Sequence, residues 1–443
     1  MSEWVIVGAG PGGLAAARVA AQHGQRVTVV DPGPAGGHAL HNSLAPSKWV
    51  IQQSRSLARL RPHGVEVSHQ FWERQRERQA LARTAIAELW QQELASVRFV
   101  HGRATLQPGG EHGVPRVLVE PDGLVLTPDR LILAVGSQQR LVPGLTPDHR
   151  RVLLPRAYAH LERLPGELWI AGAGPTGLEA AMAFASLGVT VTLVTPREAL
   201  LPEWAPEVGQ HLAEALASRG VAIRYRTRIA ALAEGRQGAV ELRLESGERY
   251  AAEAVLLASG RIGVWDPQAM AALGLVTDGK GFFQVDERGR TSLKGVWAVG
   301  DAAGYPLLAN KARLSGEVAA QDALGLRPLP LPPLVEAIYT EPEVARVGFT
   351  PSQGPSRPYR RHLLSWPRAA SLVSVWHPEP GWAAVYTDPD DGRVIGAEAV
   401  VPEAAAFCST LALAITCGIR LEALARQGWA APSVLEWLDL LER

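Results

Sequence analysis

The chain has 443 residues, 47% apolar and 20% charged, and its 44 basic and 44 acidic side chains cancel to a formal net charge of zero. That length exceeds one hydrophobic core and asks for roughly two to four domains; the balanced charge carries no footprint for nucleic acid. No apolar run reaches the roughly 18 residues that span a bilayer, and Met1 to Val7 enter a strand with no basic-then-apolar leader, so small ligands are the expected partners and the cytoplasm the expected location.

In chain order, residues 4–31 read as strand, Gly-rich turn, helix and strand: Val5-Ile6-Val7, then Gly8-Ala9-Gly10-Pro11-Gly12-Gly13, an Ala-rich helix to His23, and Val27 to Asp31. An Arg- and Gln-rich helical stretch follows from Phe71 to Leu94, whose charges suit a solvated face. The first grammar returns at Leu168-Trp169-Ile170-Ala171, Gly172-Ala173-Gly174-Pro175-Thr176-Gly177, a helix to Leu187, and Val189 to Val194. Within residues 290–325 a strand, Gly295 to Val299, leads into Gly300-Asp301 and a helix to about Leu324. Arg327-Pro328-Leu329-Pro330-Leu331-Pro332-Pro333 can be neither helix nor central strand and reads as a linker. Beyond it, Trp382 to Tyr386 and Val394 to Val400 alternate as strands before a helical end from Glu403 to Leu441. The only cysteines, Cys408 and Cys417, lie nine residues apart in that end, on nearly opposite helix faces, and are not expected to pair.

The expected class is therefore α/β: two Rossmann-like dinucleotide-binding domains followed by a C-terminal α+β domain. The boundaries read as 1–147 for the first dinucleotide domain, 148–264 for the second, 265–326 for a return to the first, 327–333 for the linker and 334–443 for the last domain. In each Gly-x-Gly-x-x-Gly the first glycine (Gly8, Gly172) allows the tight turn and the second (Gly10, Gly174) lets backbone approach a pyrophosphate. The third (Gly13, Gly177) lets helix lie on strand, and the phosphates sit on the helix N-terminus. One such match is weak; two copies, each between a strand and a helix, are not. Asp31, ending the second strand of the first unit, supplies a carboxylate for an adenosine ribose. Its counterpart in the second unit is Thr195, with Arg197 two residues on. That pattern lacks the acid that favours NAD and leans towards NADPH or dual use, although Arg197 is as readily a plain surface residue.

With these units and Gly300-Asp301 in place, the chain resembles the dihydrolipoamide dehydrogenase and glutathione reductase branch of the pyridine nucleotide-disulfide oxidoreductases from end to end. Leu131 to Gly136 resembles the second FAD strand, and Ala298 to Asp301 with Leu308-Ala309-Asn310-Lys311-Ala312 resembles the segment whose aspartate binds the ribityl chain. Val255 to Arg261 is similar to the strand closing the nicotinamide domain, and Tyr339 to Thr350 to the opening of the dimerisation domain. The resemblance implies FAD, NAD(P)H as co-substrate, a homodimer and no metal. For FAD it implies Gly8, Gly10, Gly13, Asp31, Gly37, His38, Lys48, Ala104, Gly136, Asp301 and Ala309. For the nicotinamide nucleotide it implies Gly172, Gly174, Gly177, Thr195, Arg197, Gly260 and Arg261.

One part of the family pattern is absent. Along Gly36-Gly37-His38-Ala39-Leu40-His41-Asn42-Ser43-Leu44-Ala45-Pro46-Ser47-Lys48, Ala39 and Leu44 stand where the redox cysteines belong. Ala431 occupies the place of the histidine base, while its partner glutamate survives as Glu436. Disulfide exchange needs a thiolate, which neither alanine nor leucine supplies. Lys48 matches the family lysine beside flavin N5 and Glu179 the glutamate that pairs with it, a pair expected to tune the flavin. Pro175 replaces the bulky residue that often gates the nicotinamide pocket. His38 and His41 flank Ala39, and soluble transhydrogenases carry a histidine at the place of His41. Trp49 and Trp429 read first as core packing and, more sharply, as an aromatic wall for a quinone-like acceptor. The expected function is an FAD-dependent NAD(P)H oxidoreductase that passes electrons to a small non-disulfide acceptor: a quinone, a dye, dioxygen or a second nicotinamide. A flavin-loaded pseudoenzyme serving as a binding or regulatory module is the alternative. A reductase whose substrate thiols meet the flavin directly in the space beside Ala39 is a weaker third.

Overall fold

A computed structural model of the chain describes residues 2–60, 69–109, 113–156, 161, 163–353, 357–366 and 381–440. The chain divides into two compact units, Met1–Ser47 with Gln70–Arg140 and Gly260–Leu331, and Lys48–His69 with Leu141–Ser259 and Pro332–Arg443.

In the first unit a parallel sheet runs in the order Val296–Ala298, Arg130–Leu133, Glu3–Val7, Arg26–Asp31, Arg98–His101. Val5, Ile6, Val29, Val30 and Leu131 to Leu133 are fully buried, as strands covered on both faces must be. The strand order reverses at Glu3–Val7, whose neighbours are Arg26–Asp31 on one side and Arg130–Leu133 on the other. Ligands bind outside the carboxyl end of a strand at such a switch point, where this sheet places Gly8 to Gly13. Helix Pro11–Gln22 packs on helix Ala309–Ala323 at glycine: a Cβ on Gly316 would lie 2.1 Å from the Gly12 carbonyl oxygen. A three-stranded antiparallel sheet, Arg103–Gln107, Arg116–Glu120 and Leu124–Leu126, completes this core. The Arg- and Gln-rich stretch is helix His69–Glu93, exposed along most of its described length.

The second unit repeats the arrangement. Its parallel sheet runs Ala222–Arg224, Thr190–Val194, Glu167–Ala171, Ala254–Leu257, Val152–Leu153, with the reversal at Glu167–Ala171 and the loop Gly172 to Gly177 at that strand's end. The same unit holds a five-stranded antiparallel sheet, Glu336–Ile338, Glu343–Gly348, Val394–Val401, Gly381–Thr387 and Arg360–Trp366. Helix Ala404–Thr416 covers it with Phe407, Cys408, Leu411 and Ala414. Cys408 is buried, Cys417 exposed, and both are free.

The helical end expected from Glu403 to Leu441 is not one helix. It breaks into Ala404–Thr416, Leu421–Leu424 and a 3-10 turn Val434–Leu440, with Leu441 outside the described residues. Gly418 (φ 64°) and Gly428 (φ 62°) adopt the left-handed conformation that ends a helix, and Pro432 lacks the N–H to resume one.

A buried polar network ties the antiparallel sheet of this unit to its nucleotide fold. Glu398 is fully buried; it accepts hydrogen bonds from the Ala205 amide (3.0 Å) and the Tyr386 hydroxyl (2.9 Å). Burial pushes its carboxyl above the ordinary value of 4.5, and the two hydrogen bonds pull it part of the way back. Buried Arg346 donates to the Glu203 carbonyl (2.9 Å) and to Glu336 (2.8 Å), and its guanidinium lies 4.2 Å from the Trp204 ring centroid. Glu398→Ala strands two buried donors and leaves a void, so urea unfolding should show a loss of about 3 kcal/mol. A raised folded pKa contributes stability that is complete below the unfolded value and is lost as pH rises through the folded one. Above pH 4.5 the wild type should therefore lose stability that Glu398→Gln retains.

Candidate functional site

In the first unit Gly8 takes φ 111°, and a Cβ there would sit 2.3 Å from the Ala134 carbonyl oxygen, so the turn admits only glycine. At Gly10 a Cβ would meet nothing within 4 Å, leaving this backbone open to a ligand. Gly13 has no such room, with the Gly8 oxygen 1.9 Å from its Cβ position. Helix Pro11–Gln22 starts with proline and has no side-chain cap, which leaves its first N–H groups for an anion. Asp31 braces the loop: its carboxylate accepts the Ala9 amide (2.6 Å) and the Gly33 amide (2.7 Å). Burial raises its pKa, and those amides oppose the rise.

Gly37 (φ 56°) packs against Gly10, its Cβ position 2.9 Å from the Gly10 Cα. The short helix Gly37–His41 then carries exposed His38, half-buried Ala39 and buried Leu40. The His41 ring contacts the Ala35 carbonyl (2.8 Å), and Arg83 donates to the His41 carbonyl. The chain leaves helical geometry at Asn42 and starts helix Leu44–Leu60 at Leu44, which is 41% exposed. Ala39 and Leu44, expected at the positions of the family's sulfurs, thus present methyl groups.

Ala104 is buried and pairs with Val119 across the small sheet. Gly136 (φ 74°) has open space at its Cβ position and turns the chain after Arg130–Leu133. The next residue, Ser137, donates to Asp301 (2.6 Å) and accepts from Arg261 Nε (2.6 Å); Arg261 also donates to the Ser137 carbonyl and lies 3.9 Å from Asp301. Asp301 sits on the turn Gly300–Ala303, and Ala309 starts helix Ala309–Ala323. Gly260 and Arg261, expected with the nicotinamide nucleotide, fall in the first compact unit, where Arg261 lies beside Asp301. The chain has already left the strand Ala254–Leu257, and Gly260 accepts the Arg140 amide (2.9 Å). Sequence reasoning missed Ser137, whose only signal is its place after Gly136.

In the second unit Gly172 (φ 116°) has its Cβ position 2.4 Å from the Ala258 oxygen, a Cβ on Gly177 would lie 1.8 Å from the Gly172 oxygen, and Gly174 is open. Pro175 begins helix Pro175–Ser186, again without a side-chain cap. Buried in that helix, Glu179 accepts from Lys48 Nζ through both carboxylate oxygens, 2.6 Å each, and from the Tyr339 amide at 2.9 Å. The ammonium also lies 4.7 Å from the Tyr339 ring centroid. Tyr339, not singled out as a site residue from sequence, is half-buried; burial first, then Glu343 and Glu179, push its phenol up. Thr195 is buried, and Arg197 is held by Glu203 (2.7 Å). Trp49 is half-buried; Trp429 packs on the C-terminal core with its indole N–H on the Leu424 carbonyl (3.0 Å). Ala431 is exposed and Glu436 lies on the turn Val434–Leu440. Among the described residues no His, Cys, Asp and Glu cluster suits a metal, and no described helix is long and apolar enough to cross a membrane.

Open backbone at Gly10 and Gly174, uncapped helix starts behind both and an acid ending the first unit's second strand fit two dinucleotides, and so define a two-dinucleotide-fold protein. The chain belongs to the pyridine nucleotide-disulphide oxidoreductase family: its model matches residues 2–316, and the family's dimerisation-domain model matches residues 334–440. Members bind FAD and use NAD(P)H. The chain is 30% identical over 450 residues to dihydrolipoyl dehydrogenase 2 of Haloarcula marismortui, covering 98% of this chain and 94% of that one. It is 32% identical over 353 residues to the soluble pyridine nucleotide transhydrogenase of Chromohalobacter salexigens, covering 78% and 75%. The solved structure of LpdA from Mycobacterium tuberculosis superposes with a TM-score of 0.89 at 27% identity, covering 100% and 98%.

Glu179→Ala removes three hydrogen bonds at a buried site. With Lys48 partly exposed, the expected cost is about 2 kcal/mol, below the range for fully buried pairs. Urea unfolding of Lys48→Met, Glu179→Gln and the double variant should show that the double costs less than the sum of the singles.

Proposed function

We propose that this protein is an FAD-dependent NAD(P)H oxidoreductase that delivers electrons to a small non-disulfide acceptor, of which a quinone suits the residues best. When bound, FAD accepts a hydride from the nicotinamide and gives up the electron pair to the acceptor. The chain's own part is to bind, orient and balance charge. The uncapped starts of helices Pro11–Gln22 and Pro175–Ser186 receive the two pyrophosphates. Asp301, hydrogen-bonded to Ser137, stands at the family's ribityl-binding position. Lys48, at the position of the family lysine beside flavin N5, supplies a positive charge fixed by Glu179.

The observation that carries the reading is the replacement of both sulfurs and of the base, Ala39, Leu44 and Ala431, while the Lys48 and Glu179 pair stays in bonding geometry. A thiol half-reaction needs a thiolate and a proton acceptor, and neither is present at those positions. The likeness to a soluble transhydrogenase and the exposed apolar Leu44 support an acceptor that needs no covalent bond to the protein. The dimerisation domain supports a homodimer as the working form.

Anaerobic NADH or NADPH should bleach the flavin band at roughly 450 nm, and a quinone should restore it over many turnovers while lipoamide does not. No bleaching with either nucleotide would remove the oxidoreductase reading and leave a flavin-loaded binding module. A variant with Cys408→Ser and Cys417→Ser should keep the wild-type quinone rate, because neither thiol takes part.

A further inference from the structure

This inference rests on the NAD(P)H reading and deepens it by naming the residue that selects between the two nucleotides. Strand Thr190–Val194 ends at Thr195, which is only 1% exposed. The Thr195 hydroxyl accepts the Arg197 amide (3.2 Å). Hydrogen bonds from the Thr195 amide to the Arg224 carbonyl (3.0 Å), from Arg226 to Arg197 (3.0 Å) and from Thr227 to Thr195 (2.9 Å) fix this edge. Of the arginines on this edge, Arg197 meets Glu203 at 2.7 Å and Arg226 meets Glu198 at 3.0 Å, while the Arg224 guanidinium lies over the Trp169 and Tyr250 rings. A 2′-phosphate, carrying about −1.5 to −2 charges, would therefore find Arg197 and Arg226 already paired with acids.

Glu203 is not a loosely placed surface acid. Its carbonyl is held by Arg346 (2.9 Å), the next side chain, Trp204, is buried under the Arg346 guanidinium, and the Ala205 amide is held by Glu398 (3.0 Å). Leu201, at φ 47°, turns the chain, and the Trp204 amide closes that turn on the Leu201 carbonyl (2.9 Å). These anchors aim the exposed Glu203 carboxylate at Arg197, six residues back. Both side chains are about half exposed, so their mutual attraction is weak; what is fixed is the position of the negative charge.

We propose that Glu203 is the specificity-determining acid of the nicotinamide nucleotide site. It takes the place of the carboxylate missing at Thr195, accepts a ribose 2′-hydroxyl, neutralises Arg197 and repels a 2′-phosphate, so the protein prefers NADH to NADPH. This proposal runs opposite to the lean towards NADPH or dual use that Thr195 and Arg197 suggest in the sequence.

Calorimetric titration of the FAD-loaded protein with NAD+ and NADP+ tests this without any turnover. The wild type should bind NAD+ more tightly. Glu203→Gln should tighten NADP+ binding about fivefold, near the ceiling for an exposed pair, with no gain for NAD+, and adding Arg197→Ala should abolish that gain. Glu203→Asp, which keeps the charge, should keep the wild-type preference; a purely structural role would move both nucleotides together. A wild-type preference for NADP+, or an unchanged ratio in Glu203→Gln, overturns the inference. Flavin bleaching by both nucleotides alongside an unchanged ratio overturns it alone, whereas binding of neither nucleotide overturns the NAD(P)H reading with it.

Discussion

The ammonium of Lys48, 2.6 Å from both carboxylate oxygens of buried Glu179, is the interaction on which the remaining structure depends. A charged pair taken out of water is favourable only when its geometry is good and its leftover bonding capacity is filled. Here the third bond to Glu179 comes from the Tyr339 amide, and the ammonium faces the Tyr339 ring. The pair therefore joins the end of a nucleotide-binding turn, helix Pro175–Ser186, to helix Leu44–Leu60 and to the entry of the antiparallel sheet. Leu44 lies one helical turn before Lys48, so the element that carries the retained charge also carries one of the two missing sulfurs.

The two units solve the same problem in the same way. Each parallel sheet reverses its strand order at one central strand, and each puts a glycine turn and an uncapped helix start at that strand's carboxyl end. The differences lie in the acids. Asp31 is drawn into its own loop by two amides, whereas the second unit lacks an acid at Thr195 and brings Glu203 up from the following turn. Glu398 and Arg346, far along the chain, hold that turn in place, so the nucleotide edge depends on the C-terminal sheet.

Much of this is legible from residues alone, because hydrophobic period and glycine spacing are local signals. Val5-Ile6-Val7 and Leu168 to Ala171 are buried central strands, and Gly8, Gly13, Gly172 and Gly177 sit where a side chain would collide with backbone. What could not be read depends on tertiary partners. Arg261 follows a strand of the second unit in sequence, yet bonds to Ser137 in the first. Glu203 reaches Arg197 only because Leu201 takes a left-handed conformation that its residue type does not announce. The expected helical end is divided at Gly418, Gly428 and Pro432, whose backbone conformations interrupt a helix.

The proposed loss of the thiol half-reaction, with the flavin half kept, rests on Ala39, Leu44 and Ala431 at the positions expected for the sulfurs and the base, beside the glycine turns and the Lys48 pair. Anaerobic titration with dithionite counts the redox equivalents directly. The flavin should be fully reduced by about two electrons per FAD, with no further uptake. Consumption of about four, as a flavin in exchange with a disulfide requires, would contradict it.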